Sequence, residues 1–157
     1  MTPPCRRLCA VVLAGAFGVF PLAVNAVLDD PAPAVVADED FAEGRRAIER
    51  KDWARAVPAL RRALARHPED AELHNALGYA HRNLRQMDLA FTHYRKAIAL
   101  DPRHRGAHEY IGEAYLMVGD LAAAEKHVAA LRTICLLPCE ELADLEKAVA
   151  GYRAQRK

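Results

Sequence analysis

The chain has no serine at any of its 157 positions. That absence removes every catalytic scheme built on a serine hydroxyl. Other catalytic patterns are missing as well. There is no phosphate-binding loop, no Gly-x-Ser-x-Gly turn, no His-Glu-x-x-His pair and no Cys-x-x-Cys-His haem site. No nucleophile and base can be assembled, so neither catalytic residues nor a cofactor is expected. Aromatic residues make up only 6% of the chain, which disfavours strands. Charge of one sign is lacking too. The 22 Lys and Arg nearly balance 21 Asp and Glu, so bulk electrostatics gives no reason to expect nucleic acid.

What is present is Ala and Leu in quantity, within a hydrophobic fraction of 52%. Both enter helices at little cost. The first stretch stands apart. Arg6 and Arg7 precede a run from Leu8 to Leu22 without a charge, and Val24-Asn25-Ala26 follows. This is the layout of a secretory signal peptide over residues 1–26. The uncharged run is 15 residues, short of the roughly 20 that span a bilayer. Cleavage near Ala26 is expected, with no stable membrane insertion afterwards. Cys9 follows Arg7-Leu8 rather than a small-residue lipobox, so lipidation is not expected. Loss of this segment leaves 20 basic and 21 acidic residues. Residues 27–37, with Pro31 and Pro33, read as a flexible lead-in.

A 34-residue period then sets in. It separates Pro68 from Pro102, Ala56 from Ala90, Ala63 from Ala97, and Gly44 from Gly78 and Gly112. Three units follow, 37–70, 71–104 and 105–138, each read as two helices joined by a turn. In the middle unit, Leu73, Ala76, Leu77, Ala80 and Leu84 fall on one helical stripe. Gln86-Met87-Asp88 interrupts it. Leu89, Ala90, Tyr94, Ala97 and Ile98 form a second stripe, which Asp101-Pro102 ends. Gly78 and Gly112 are expected to meet Ala90 and Ala124 where paired helices cross, with Leu60, Tyr94 and Val128 filling space toward the next repeat. Residues 139–157 hold a further amphipathic segment, with Leu142, Leu145, Val149 and Tyr152 on one face. It is read as a capping helix and tail.

Through Leu77-Gly78, Ala90, Tyr94, Ala97 and Asp101-Pro102, the middle unit resembles a tetratricopeptide repeat. The first unit agrees at Trp53, Ala56, Leu60, Ala63 and Pro68. The third agrees at Ile111-Gly112, Tyr115, Gly119-Asp120, Ala124 and Leu131. The resemblance implies an all-α fold: a right-handed superhelical stack of three hairpins plus the capping helix. It also implies a small exported bacterial member of the family, a periplasmic adaptor or scaffold for a protein or peptide partner.

The family lines its concave groove with the first helix of each hairpin. Carried over by position, the exposed groove residues here are Phe41, Arg45 and Glu49, then Asn75, Tyr79 and Arg82, then Glu109, Glu113 and Leu116. One variant of the groove clamps a peptide carboxylate with Lys and Asn. The matching positions here hold Phe41, Arg45, Ala76, Gly106 and Tyr110, so that clamp is not expected.

Cys135 and Cys139 lie four residues apart, within reach of a disulfide on a helix and in a compartment that permits one. The histidines keep a second reading open, that of a redox or metal-handling protein. His104 and His108 have i, i+4 spacing, which suits a metal on an ordered helix. His74 and His108, one period apart, read equally as a duplicated structural position. His81 reads as a packed, hydrogen-bonded imidazole. No physiological metal site is expected.

Overall fold

The computed structural model describes residues 38–156. The export signal and lead-in expected over residues 1–37 lie outside the described residues. Seven helices and no strand occupy the described part. They are α1 (Glu39–Glu49), α2 (Trp53–Arg66), α3 (Ala71–Asn83), α4 (Met87–Leu100), α5 (Arg105–Met117), α6 (Leu121–Ile134) and α7 (Glu140–Ala154). Among these residues no helix is long and apolar enough to cross a membrane.

The helix ends follow from local chemistry. Asp38, Asp52, Asp70 and Asp120 cap α1, α2, α3 and α6, each carboxylate accepting from amides of the first turn. The three hairpin turns share one geometry, again 34 residues apart. Lys51, Arg85 and Gly119 all have positive φ. The amide of the next residue reaches back to the carbonyls of Ala47, His81 and Tyr115 at 2.8–2.9 Å. This closing bond satisfies a helix carbonyl that would otherwise lack a donor. It also explains why Leu84 is exposed. α3 ends at Asn83, one residue before the apolar stripe would have reached Leu84. On α4, Leu89 is likewise exposed and Phe91 is the buried residue.

The core forms three successive clusters, the first around Phe41, Leu60 and Leu77, the second around Tyr94 and Ile111, the third around Leu131 and Leu145. Each hairpin packs on the next, and α7 lies against both α5 and α6. Leu145 and Val149 of α7 are buried there, so this helix closes the apolar end of the stack.

The glycines play a different part from the expected one. A Cβ on Gly44 would lie 2.5 Å from Leu60, one on Gly78 would lie 2.6 Å from the Tyr94 ring, and one on Gly112 would lie 2.6 Å from Leu145. Large side chains of the facing helix therefore occupy the glycine notches, not the alanines. Leu60 and Tyr94 fill the notch of their own hairpin and also reach the next repeat as expected, Leu60 clustering with Leu73 and Leu77 and Tyr94 with Ile111. The third notch is filled from α7.

Candidate functional site

The first helices touch in series, α1 on α3, α3 on α5, and α5 on α7. Together they make one face. Of the nine residues assigned to it, Arg45 and Glu49 are exposed and Tyr79, Glu113 and Leu116 are half-buried. The other four correct the expectation of an open groove lining. Phe41 is 2% exposed, Asn75 5%, Arg82 9% and Glu109 9%. Phe41 has turned into the first core cluster. Asn75 lies against Gly106 of α5, where a Cβ would approach its Nδ2 to 3.3 Å. Glu109 sits on α5 where α7 packs alongside.

Arg82 is buried because its neighbours enclose it. Its guanidinium stacks 5.1 Å from the Tyr79 ring and 5.3 Å from the Tyr110 ring. It donates to the Tyr110 carbonyl at 3.3 Å and pairs with Glu113. Such contacts favour a delocalised cation over aromatic faces. The two rings, 4.9 Å apart, wall a hollow of about 250 Å³ that Arg45, Ile48 and Asn75 also line. The side-chain oxygen of Asn75, one of the residues lining this hollow, is buried with no donor among the described residues. A buried amide oxygen left in this state costs free energy unless a donor arrives.

Toward α7 the face turns acidic. Burial, then Glu113, Asp144 and Glu141, push the Glu109 carboxyl up to about 7. Glu141 is paired with Arg105 at 3.5 Å.

The histidines form pairs rather than a metal cluster. His74 and His93 face each other through Nδ1 atoms 3.0 Å apart, and His108 and His127 repeat this at 3.0 Å. In each pair the first ring donates from Nε2 to the carbonyl of Pro68 or Pro102, at 3.1 Å. Its Nδ1 is then the acceptor, and the second ring donates to it. Burial first, then the neighbouring imidazoles, push His93 and His127 down to about 4. His104 caps α5 and binds Glu72 at 3.1 Å, which raises its pKa, so it does not converge with His108. His81 is buried and bonds Gln86 at 2.6 Å. Among the described residues no group of three or more His, Cys, Asp and Glu is placed to hold a metal ion. Cys135 and Cys139 follow α6 with their sulfurs 2.07 Å apart.

Several members of this face and of the pairs were not singled out from the sequence. Tyr110 had been noted only as a clamp position. Glu141 and Asp144 lie in the segment read only as a capping helix. His93 and His127 had no assigned role, although each lies 19 residues after its partner, a spacing that repeats with the 34-residue period.

The geometry agrees with known structures. The TPR2B domain of yeast Sti1, solved as a pHsp70 complex, is 26% identical and superimposes with a TM-score of 0.70, covering 76% of this chain and 98% of that domain. The Yersinia enterocolitica type III secretion chaperone SycD, in complex with a peptide of the translocator YopD, shares the fold at 15% identity and a TM-score of 0.68, covering 82% and 100%. The second TPR domain of human RPAP3, in complex with an HSP70 peptide, does so at 20% identity and 0.64, covering 74% and 98%. No curated protein matches the sequence. The tetratricopeptide repeat family model matches residues 41–104 and 90–135, and the chain belongs to that family.

Proposed function

We propose that this protein is a small exported adaptor, acting in the periplasm, that holds a protein or peptide partner along the face made by α1, α3, α5 and α7. The observation that carries this reading is the open hollow of about 250 Å³ on that face, walled by Tyr79 and Tyr110 and bordered by Arg45. The two rings offer rigid contact area for an apolar side chain of a peptide. The peptide ligands named for the related domains of Sti1, SycD and RPAP3 support a peptide as the class of partner. Export rests on the layout of residues 1–26, and the juxtaposed Cys135 and Cys139 suit an oxidising compartment.

The test is photo-crosslinking in native cells. A crosslinking residue at Arg45 is expected to trap a partner, and one at the exposed Arg61 of α2 is not. Adding Glu49→Lys beside the first is expected to lower the yield. Equal trapping from both positions refutes the groove reading. Fractionation with N-terminal sequencing tests export separately, with a mature chain beginning at Val27 as the expected result.

A further inference from the structure

Along the binding face the carboxylates are not evenly matched. Glu113 is engaged by Arg82 and Glu141 by Arg105. Asp144 is exposed and makes no ion pair among the described residues. Glu109 is nine-tenths buried, and what surrounds it is chiefly other carboxylates. Nothing in its surroundings explains why an acid should be buried there, and burying an unpaired carboxylate is costly. One period earlier, the same register holds Asn75, whose buried oxygen lacks a donor. Two consecutive repeats thus bury a polar side chain at the same place on the face.

The surface next to the acids around Glu109 has room for a long amphipathic side chain. Between α5 and α7 lies a hollow of about 570 Å³ whose lining includes Leu116, Met117, Tyr152, Glu113 and Asp144. Glu109 is not in the lining but neighbours Glu113 and Asp144. Lys147 also borders it, on α7 three residues after Asp144. A lysine or arginine stem can lie on the apolar part while its head reaches the acids.

Resting on the groove reading above, we infer that the α5–α7 end of the face seats a basic side chain of the partner peptide, with Glu109 and Asp144 as its counter-charges. The partner is then a peptide with a lysine or arginine set apart from the residue that enters the Tyr79–Tyr110 hollow. Its charge is opposite to what a carboxylate clamp selects. The groups around Glu109 also give the binding a pH signature. Arg105, Tyr110 and Glu113 are on its own helix, Arg82 is on α3, and Glu141, Asp144 and Lys147 are on α7. A cation seated among them displaces the proton that Glu109 holds near neutral pH, so affinity for a basic peptide rises with pH through about 7.

The experiment is selection of a random displayed peptide library on the purified protein, followed by binding measurements on the recovered peptides. Enrichment of lysine or arginine at a fixed distance from an apolar residue is expected. Glu109→Gln with Asp144→Asn is expected to weaken such a peptide by about tenfold or more. Replacing its basic residue by norleucine should cause the same loss, with no further loss in the double variant. Thermal unfolding controls for folding: Glu109→Gln removes a buried carboxylate and is expected not to lower the midpoint. Peptides that bind through the Tyr79–Tyr110 hollow but are neutral or acidic overturn this inference and leave the groove reading standing. Full binding by the double variant does the same. Recovery of no peptide at all overturns both.

Discussion

The paired histidines give the sharpest prediction about stability. Each pair holds one proton between two Nδ1 atoms 3.0 Å apart, and the outer nitrogen of the first ring is already donating to a carbonyl. One added proton converts the first ring to a cation that can still donate. A second would set two N–H groups against each other. The native state therefore binds fewer protons than the unfolded chain wherever free histidine is charged. His93 and His127 are held at about 4 against an ordinary 6.5, so stability is intact above pH 6.5 and is lost as pH falls toward 4. The full displacement corresponds to roughly 3 kcal/mol at each ring. Both rings are partly exposed, and solvent screening reduces this to about 1–2 kcal/mol per pair. Two groups oppose the trend. Glu109, raised to about 7, and His104, raised by Glu72, both favour the native state as pH falls. The measurement must therefore be a difference. Urea unfolding followed by circular dichroism at about pH 7.5 and about pH 4.5 is compared between the protein and a His93→Asn, His127→Asn variant. Asparagine keeps an N–H near the Nδ1 position and does not titrate. The variant is expected to lose about 2–4 kcal/mol less than the parent across that range. An identical loss in both proteins refutes the shared-proton argument.

Three further outcomes are expected. Lys51 and Arg85 adopt the backbone conformation that Gly119 adopts at the third turn. Lys51→Gly and Arg85→Gly should each raise the unfolding free energy by about 1 kcal/mol, and Gly119→Ala should lower it by a similar amount. Two glycine-to-alanine changes should differ in sign under the same denaturant assay. At Gly78 the new methyl meets the buried Tyr94 ring at 2.6 Å, and overpacking of about 1–3 kcal/mol exceeds the helix gain, so alanine should destabilise. At Gly151 nothing lies within 4 Å, and alanine should stabilise by about 0.5–1 kcal/mol. If Cys135 and Cys139 are oxidised, they should resist alkylation until reduced. Cys135→Ala with Cys139→Ala should then cost about 2 kcal/mol, the chain-entropy value for so short a loop.

Helix periodicity is a property of local sequence, which is why the hairpins and α7 were legible without coordinates. Asp-Pro at 101–102 and the stripe through Leu73, Leu77 and Ala80 each act over a few residues. The contents of the glycine notches were not legible, because they depend on which helix arrives from elsewhere. Gly112 receives Leu145 of α7, a residue 33 positions away whose sequence context says only that it is apolar. The groove was legible in register and not in exposure. Position along a helix tells which residues face the neighbouring first helix, but not how closely that helix approaches. Phe41, Asn75 and Glu109 share a register and all three are buried, Phe41 in the first core cluster, Asn75 against Gly106 of the next first helix and Glu109 on the helix that α7 packs against. Arg82 was misread for a different reason. A lone arginine on an outward face reads as solvated, and only the rings of Tyr79 and Tyr110, brought from successive repeats, give it a place to be buried.

The repeats supply their own comparison between scaffold and site. Where the backbone needs a residue, the three units agree. Gly44, Gly78 and Gly112 make the notches, Ala56, Ala90 and Ala124 are fully buried, and the turn conformation recurs at Lys51, Arg85 and Gly119. Even the histidine pair recurs as a whole, with both partners and its carbonyl acceptor. On the face made by the first helices the units disagree at every step. One register runs Phe41, Asn75, Glu109, and the next runs Arg45, Tyr79, Glu113. A structural requirement that repeats every 34 residues would produce the same residue each time, as it does in the notches. Here the chemistry passes instead from apolar and basic at α1, through aromatic and amide at α3, to acidic at α5 and α7. A uniform solvated surface would have no need of such a gradient, and neither would it bury Asn75 and Glu109. A ligand that differs along its length has that need. This is why the face, rather than the outward side carrying the second helices, is where a partner of mixed apolar and basic character is expected to bind.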